Sequence, residues 1–324
     1  MDTRKELLVE FINRNNLAES EMNSIETDAS FRKYYRINNK NILVMDAPSE
    51  KGESVEDFQK IDKILLRMGI SAPAIYDIDK KNGFILLEDF GDQIFSKILD
   101  SANECELYNS AISVLAHICK ESVNTNIDNN NIPNYSIDIL LDEAKLFYEW
   151  YLEKHLNIYL SIEEKSKYQE IIREIFNNIN LTSSVLVLRD YHVDNLIFLK
   201  NQKKIKQVGV IDFQDALIGS NAYDIISLLE DVRRPIDPML KERLINNYVS
   251  ITGCDQAKLL QEMNFFSIQR NMKIIGIFSR LKYRDGKDQY MKYLNNAWGF
   301  IDSHLEDRKF SELKKWILKY RKRL

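Results

Sequence analysis

Glycine and proline are scarce, at 10 and 5 of 324 residues. That leaves few sites for left-handed turns and no Pro/Gly-rich stretch to serve as a disordered linker. Cysteine occurs three times, as Cys105, Cys119 and Cys254, without metal-ligand spacing. A disulfide scaffold and a zinc site are therefore excluded, and a reducing cytoplasm is the expected setting. No apolar run approaches the roughly 18 residues of a membrane span. The start, Met1-Asp-Thr-Arg-Lys-Glu6, is charged, and Leu7-Leu-Val9 is too short for the core of a secretory signal. The net charge is −4 and the basic residues are scattered, so nucleic acid is not implied as a partner. One exception is the tail from Lys314 to Leu324. It reads either as a basic amphipathic contact for an anionic surface or as a terminal helix with a solvated face. A soluble globular monomer fits these limits.

What is present centres on Val185-Leu-Val-Leu-Arg-Asp-Tyr-His-Val-Asp-Asn-Leu-Ile-Phe-Leu199 and Val208-Gly-Val-Ile-Asp-Phe-Gln-Asp215. An apolar strand enters a polar loop carrying Asp190, His192 and Asn195. Strands over 196–199 and 205–211 flank the turn Lys200-Asn-Gln-Lys-Lys204. A turn centred on 203–204 sets Asn195 opposite Asp212, with Cα atoms about 5 Å apart. An amide oxygen and a carboxylate at that spacing suit Mg²⁺, which takes oxygen ligands and keeps several waters. Asp190 lies at the entrance of the same hairpin, placed to accept a proton from an attacking hydroxyl. His192 reads as a holder of the loop, through backbone or Asp212, rather than as the base.

Elsewhere the periodicity predicts an amphipathic helix over 2–15 and a hairpin over 28–45 turning at Asn38-Asn39. A helix over 54–68 is capped by Ser54 and ended by Gly69, with Phe58, Ile61, Leu65 and Met68 inward. Its Glu56 and Asp62 read as solvated acids or as partners for a phosphate-binding cation. Strands 74–78 and 83–88 run into Glu88-Asp-Phe-Gly-Asp92. One long helix is expected over 137–156. On it Glu143, Phe147, Trp150, Tyr151 and Lys154 share a face, either as core or as a platform for a sugar ring. The segment 264–283 is apolar around most of its circumference and therefore buried. Arg270, Lys273 and Arg280, with Arg284 and Lys287, form either an anion-binding patch or a set of salt bridges. Asp224 begins a helix, where an acid is favoured by the dipole.

Asp190-x-x-x-x-Asn195 followed by Asp212-Phe213 resembles the protein-kinase-like phosphotransferases. Asp190-Tyr-His-Val-Asp-Asn195 is more similar to the aminoglycoside phosphotransferase branch. A more specific resemblance, over nearly the whole chain, is to the bacterial anomeric sugar kinases acting on N-acetylmuramate and N-acetylglucosamine. It is carried by Asp28-Ala-Ser-Phe-Arg-Lys-Tyr-Tyr-Arg36, Val44-Met-Asp-Ala-Pro48, Phe84-Ile-Leu-Leu-Glu-Asp-Phe-Gly-Asp92, Phe147-Tyr-Glu-Trp-Tyr151, Gln269-Arg-Asn-Met-Lys273 and Arg284-Asp-Gly-Lys287.

The resemblance implies an α+β, two-lobed, protein-kinase-like fold. Residues 1–90 would be a small antiparallel-sheet lobe for nucleotide and 91–324 a mainly helical lobe for catalysis and acceptor. It implies ATP and Mg²⁺ as cofactors, Asp190 as the catalytic acid–base group, and Asn195 and Asp212 as metal ligands. Ser30, Phe31 and Arg32 would meet the nucleotide phosphates, while Leu87, Glu88 and Phe90 form the hinge against adenine. Glu143, Trp150, Tyr151 and Arg280 would face the sugar, and Arg189, His192 and Asp224 would structure the loop. The acceptor implied is the anomeric hydroxyl of an N-acetylated amino sugar. Two departures stand out. Residues 28–36 contain no glycine, and the third strand, Ile42-Leu-Val-Met-Asp46, lacks the lysine that holds the phosphates in kinases. Arg32, Lys33 and Lys40 are the candidate substitutes. The alternatives are a kinase of another small alcohol (an aminoglycoside, choline or homoserine) and a pseudokinase that holds nucleotide without transferring phosphate.

Overall fold

A computed structural model describes residues 3–17, 21–25, 31–125, 127, 131–179, 181 and 184–321. In chain order the first elements are α1 (Thr3–Arg14), β1 (Met22–Ile25), β2 (Lys33–Ile37), β3 (Ile42–Asp46), α2 (Val55–Arg67), β4 (Ile75–Asp79) and β5 (Phe84–Glu88). Then come α3 (Phe95–Ile98), α4 (Glu104–Asn124), α5 (Ile137–Leu146), a π-helix (Phe147–His155), α6 (Ile162–Asn178) and β6 (Val185–Val187). The remainder is β7 (Leu196–Phe198), β8 (Val208–Val210), β9 (Leu217–Gly219), α7 (Ala222–Leu229), α8 (Pro238–Thr252), α9 (Gln256–Asp285), α10 (Leu294–His304) and α11 (Ser311–Arg321). The chain divides into two compact units, Met1–Val114 with Asp190–Ala216, and Leu115–Arg189 with Leu217–Leu324. No helix among the described residues is long and apolar enough to cross a membrane.

In the first unit, five antiparallel strands lie in the order β1-β2-β3-β5-β4. The expected hairpin is β2–β3. Ile37 faces Ile42, and Asn39 takes a left-handed φ of 59° in the turn between them. Asparagine tolerates that conformation better than most residues. Strand β1, which carries little apolar alternation, adds an edge that the sequence did not announce. Helix α1 lays Leu8, Phe11 and Ile12 against Ile37, Val44, Phe84 and Leu86 to close one core. The Arg4 guanidinium ties the same helix to Asp46 at the end of β3.

Helix α2 starts where expected, with the Ser54 hydroxyl accepting from the Asp57 N–H. Phe58, Ile61, Leu65 and Met68 are all buried. Phe58 meets Phe213 with ring centroids 4.9 Å apart. Asp62 departs from expectation. It is 1% exposed and its Oδ1 has no hydrogen-bond partner among the described residues. Its position one turn after Phe58 carries it inward with the apolar face. Burial pushes its carboxyl up to about 7.

In the second unit, α9 is the central helix. Phe265, Phe266, Ile268, Met272 and Ile275 are all buried, as the apolar circumference of that segment required. Asp255 caps its start, and Gly286 ends it with a φ of 69°. The single long helix expected over 137–156 is instead α5 followed by a π-helix. A π-helix takes more residues per turn, so the shared face expected for Glu143, Trp150 and Tyr151 does not continue past Leu146. At this junction α9 comes so close that a Cβ on Gly276 would lie 2.4 Å from the carbonyl carbon and oxygen of Leu146. Only glycine fits there, because the obstacle is backbone and has no rotamer to change.

Two consequences are measurable. Gly276→Ala should lower stability by about 2–3 kcal/mol or more, as overpacking against backbone does; a melting temperature equal to wild type would show that the helices separate freely. Asp62 should make the protein less stable as pH rises. Below pH ~4 the carboxyl is protonated folded and unfolded alike. Between about 4 and 7 only the unfolded chain ionises, removing up to about 4 kcal/mol by pH 7 and above. Thermal melts of Asp62→Asn against wild type should therefore diverge in favour of the variant over this window, and parallel curves would refute the assignment.

Candidate active site

The polar loop after β6 turns on Arg189, which adopts a φ of 69°. That conformation is costly for a long side chain, and here the neighbours hold it. The buried carboxylate of Asp224 accepts the N–H of Leu188 at 2.6 Å and of Arg189 at 2.9 Å. The Ser227 hydroxyl donates to the Arg189 carbonyl at 3.3 Å. The guanidinium is paired with Glu143. Arg189, Asp224 and Glu143 thus form one support directly before Asp190.

Glu143 is the hub of that support. Its carboxylate accepts from Lys273 at 2.7 Å, from Gln269 at 3.0 Å, and from Tyr135 and Arg189. Burial alone would raise its pKa. The charges of Lys273 and Arg189, with the hydrogen bonds from Lys273 and Tyr135, outweigh burial and hold it down to about 2. Burial likewise works against the Arg189 charge, and Glu143 overcomes it, raising the guanidinium further.

Asp190 itself is exposed. Its carbonyl accepts from the His192 N–H at 3.1 Å and from Asn195 Nδ2 at 2.9 Å. His192 is buried, with Nε2 3.4 Å from Asn195 Nδ2. Tyr191 anchors the loop by donating to the Ala111 carbonyl at 2.9 Å. Asn195 leads into β7, which pairs with β8.

The register of that pair differs by one residue from the sequence expectation. Leu196 faces Val210, and the Ile211 N–H donates to the Asn195 carbonyl at 3.1 Å, so Asn195 pairs with Ile211 rather than with Asp212. The displacement comes from the connection, where residues 204–207 form a 3₁₀ turn instead of strand. Asp212 nevertheless reaches Asn195. Its φ of 60° folds the chain back, leaving its Oδ2 3.5 Å from Asn195 Nδ2.

The donor set fits a hard cation. Asp212 offers a half-exposed carboxylate. Because Asn195 Nδ2 is held by the Asp190 carbonyl, the oxygen arm of that amide remains for a metal. Asp212 Oδ1 also accepts from Gln214 Nε2 at 3.1 Å and from Arg32 Nη2 at 3.0 Å.

Arg32 is 7% exposed and precedes β2. Its Nε is 3.0 Å from Glu53, an acid the sequence reading passed over. Glu53 sits between Gly52 (φ 84°) and the Ser54 cap of α2, and this adjacency is the signal that could have marked it. Burial opposes the Arg32 charge, and Tyr34, Asp212 and Glu53 more than restore it. Phe31 is 55% exposed, and Ser30 lies outside the described residues.

At the end of β5, Leu87 is buried and Glu88 accepts the Ala74 N–H at 3.1 Å. The Phe90 ring covers Gly209 of β8 so closely that a Cβ there would lie 2.7 Å from it. Arg36 clamps the following link through Asp89 and Asp92, a second contact that the sequence reading missed.

Of the residues expected to face a sugar, Glu143 is saturated by the donors above. Tyr151 is buried beside Phe147 and Trp298, and its hydroxyl accepts from Trp298 Nε1 at 3.3 Å. Trp150 and Arg280 are half-buried. Burial, then the charge of Arg284, pushes the Arg280 pKa down. Two of the basic residues on α9 pair with acids, Lys273 with Glu143 and Arg284 with Asp285.

Comparison with known proteins identifies the family and the fold. Over 299 residues, covering 89% of this chain and 85% of the relative, the sequence is 32% identical to an N-acetylmuramate/N-acetylglucosamine kinase of Pseudomonas aeruginosa. A protein of the same name from Neisseria meningitidis is 30% identical over 88% of this chain and 85% of its own. Among solved structures, choline kinase LicA from Streptococcus pneumoniae superposes with a TM-score of 0.66 at 13% identity, covering 93% of this chain and all 100% of that one. The ADP-bound aminoglycoside phosphotransferase APH(2'')-Ib gives 0.61 at 15% identity, over 94% and 98%. These last two share the protein-kinase-like fold expected from the sequence. A model of the phosphotransferase enzyme family (APH) matches residues 21–260, a span holding Asp190, Asn195 and Asp212, and the chain belongs to that family.

Proposed function

We propose that this small-molecule kinase uses ATP and Mg²⁺ to phosphorylate the anomeric hydroxyl of an N-acetylated amino sugar, giving the sugar 1-phosphate. The observation that carries the reading is one exposed carboxylate, Asp190, whose own backbone carbonyl holds the amide of Asn195 beside Asp212. A proton acceptor and an oxygen-rich cation site are thereby fixed in one short hairpin. The sugar follows from the names of the relatives aligned over most of the chain.

In this mechanism Asp190 accepts the hydroxyl proton as the sugar oxygen attacks the γ-phosphorus and the bond to ADP breaks. An anomeric hydroxyl is more acidic than an ordinary alcohol, so it asks little of the base. Asn195 and Asp212 would hold Mg²⁺, whose chemistry when bound is to neutralise and orient the phosphates. In this proposal nucleotide is held by 1–90, and acceptor and catalysis are served by 91–324. Arg32 and Phe31, with Ser30, serve the phosphates, and Leu87, Glu88 and Phe90 serve adenine. Trp150 and Arg280, both half-buried, are the residues of the acceptor set that a sugar can reach without displacing a core contact. Glu143 and Tyr151, committed to the contacts given above, complete that set. Arg189, His192 and Asp224 keep Asp190 in place. A cytoplasmic monomer suits such a catalyst.

ADP release measured with Mg²⁺ over a panel of sugars should show turnover with N-acetylmuramate or N-acetylglucosamine. Nucleotide binding without turnover on any sugar would reject the proposal. Asp190→Ala should lower kcat by at least about 10²–10⁴-fold, the usual worth of a positioned acid–base group, while calorimetry finds ADP binding unchanged; a normal rate would remove Asp190 from its role. Asp212→Asn should weaken Mg²⁺-dependent nucleotide binding itself, and an unaltered metal titration would contradict its assignment as ligand.

A further inference from the structure

The strand position that carries the phosphate-binding lysine in kinases has no cation here. Met45 is 1% exposed and apolar, and Asp46 is an acid already paired with Arg4. Of the three neighbouring candidates, Lys33 and Lys40 are exposed. Arg32 alone of the three is buried. Its guanidinium spans two acids, with Nε 3.0 Å from Glu53 Oε2 and Nη2 3.0 Å from Asp212 Oδ1. Tyr34 also accepts a hydrogen bond from it. The planar fork of arginine permits this division, since one edge can stay on a carboxylate while the other changes partner.

Asp212 Oδ1 cannot serve Arg32 and a divalent cation equally. A metal at Asp212 repels the guanidinium, whereas the triphosphate that arrives with the metal attracts it. Glu53 has no such competitor. It stands on a left-handed Gly52 turn and beside the Ser54 cap, a rigid base from which to hold the Nε edge. All four residues, Arg32, Tyr34, Glu53 and Asp212, belong to the same compact unit.

We propose that Arg32 replaces the missing strand lysine and works by exchange: pivoting on Glu53, its Nη2 edge leaves Asp212 for the nucleotide phosphates when the metal–nucleotide enters. Arg32 is then a nucleotide ligand and Glu53 a positioning residue. The exchange rests on the kinase reading above and adds a consequence to it. Because Arg32 covers the metal ligand until phosphates draw it off, free metal binds weakly and metal and nucleotide bind as a pair.

Two titrations on the full-length protein test this: ADP with Mg²⁺ by calorimetry, and Mn²⁺ without nucleotide by electron paramagnetic resonance of the free ion. In Arg32→Gln, ADP–Mg²⁺ affinity should fall tenfold or more, while nucleotide-free Mn²⁺ should bind several-fold tighter because its competitor is gone. Arg32→Lys should recover part of the ADP affinity. Glu53→Gln keeps the cation but removes its pivot. Of its two acids only Asp212 then holds Arg32, so ADP–Mg²⁺ affinity should fall and nucleotide-free Mn²⁺ should bind more weakly than in wild type. This opposite sign separates exchange from general damage, and it stands by itself if Arg32→Gln does not fold. Unchanged ADP affinity, or Mn²⁺ affinity moving the same way in both variants, would overturn the proposal. Wild-type protein that binds neither ADP nor ATP would sink the kinase reading, and the exchange with it.

Discussion

The structure depends on a single arrangement: Arg189 held in a left-handed turn by the carboxylate of Asp224. Without a partner, that backbone conformation would relax toward the right-handed or extended regions. Two N–H groups donated to one buried carboxylate prevent this, and Glu143 fixes the far end of the same side chain. The strain lies one peptide bond from the proposed acid–base group. Moving it would change the direction in which Asp190 projects from the chain. Much of the second unit can be read as support for this turn, since Tyr135, Gln269 and Lys273 converge on Glu143 and α7 delivers Asp224 and Ser227.

The proposed site was legible in the sequence because it is local. Asp190, Asn195 and Asp212 stand on one loop and one hairpin, and their spacing survives any uncertainty about long-range packing. What misled the register was the connection. Lys200 to Lys204 reads as a plain turn, yet Lys204 adopts a φ of 55° and a 3₁₀ turn follows it, which shifts the pairing by one residue. A slip of one normally sends a side chain to the opposite face. The left-handed Asp212 cancels it, so the expected meeting with Asn195 occurs by a different route. The residues of the site tolerate an error in the strand because both end outside the ladder.

Long-range charge pairing was far less legible. Nothing in the spacing from Arg32 to Glu53 or from Glu143 to Lys273 announces a contact, since each pair is joined only by the fold. The stripe along 143–154 shows a second limit. Helical periodicity assumes 3.6 residues per turn, and the change to a π-helix at Phe147 breaks that assumption without any proline or glycine to signal it. The signal lay on the other helix of the contact, at Gly276, whose missing Cβ lets α9 reach the Leu146 backbone.

Two acids of comparable burial show how partners decide function. Glu143 is surrounded by donors, and its pKa is held near 2, so it remains a fixed anion through the whole physiological range. Asp62 Oδ1 has no hydrogen-bond partner among the described residues, and burial lifts the carboxyl to about 7. The difference is not depth but whether hydrogen-bond donors and cations compensate desolvation. The same reasoning applies to the nucleotide side. A buried arginine between two acids is compensated before any phosphate arrives, so the phosphates must offer it a better partner than Asp212 does. Asp212 becomes a poorer partner at the moment a divalent cation approaches it. In the proposed exchange, metal and phosphate together therefore draw Arg32 away where neither alone does so efficiently, which is what a kinase lacking the strand lysine would require of its substitute.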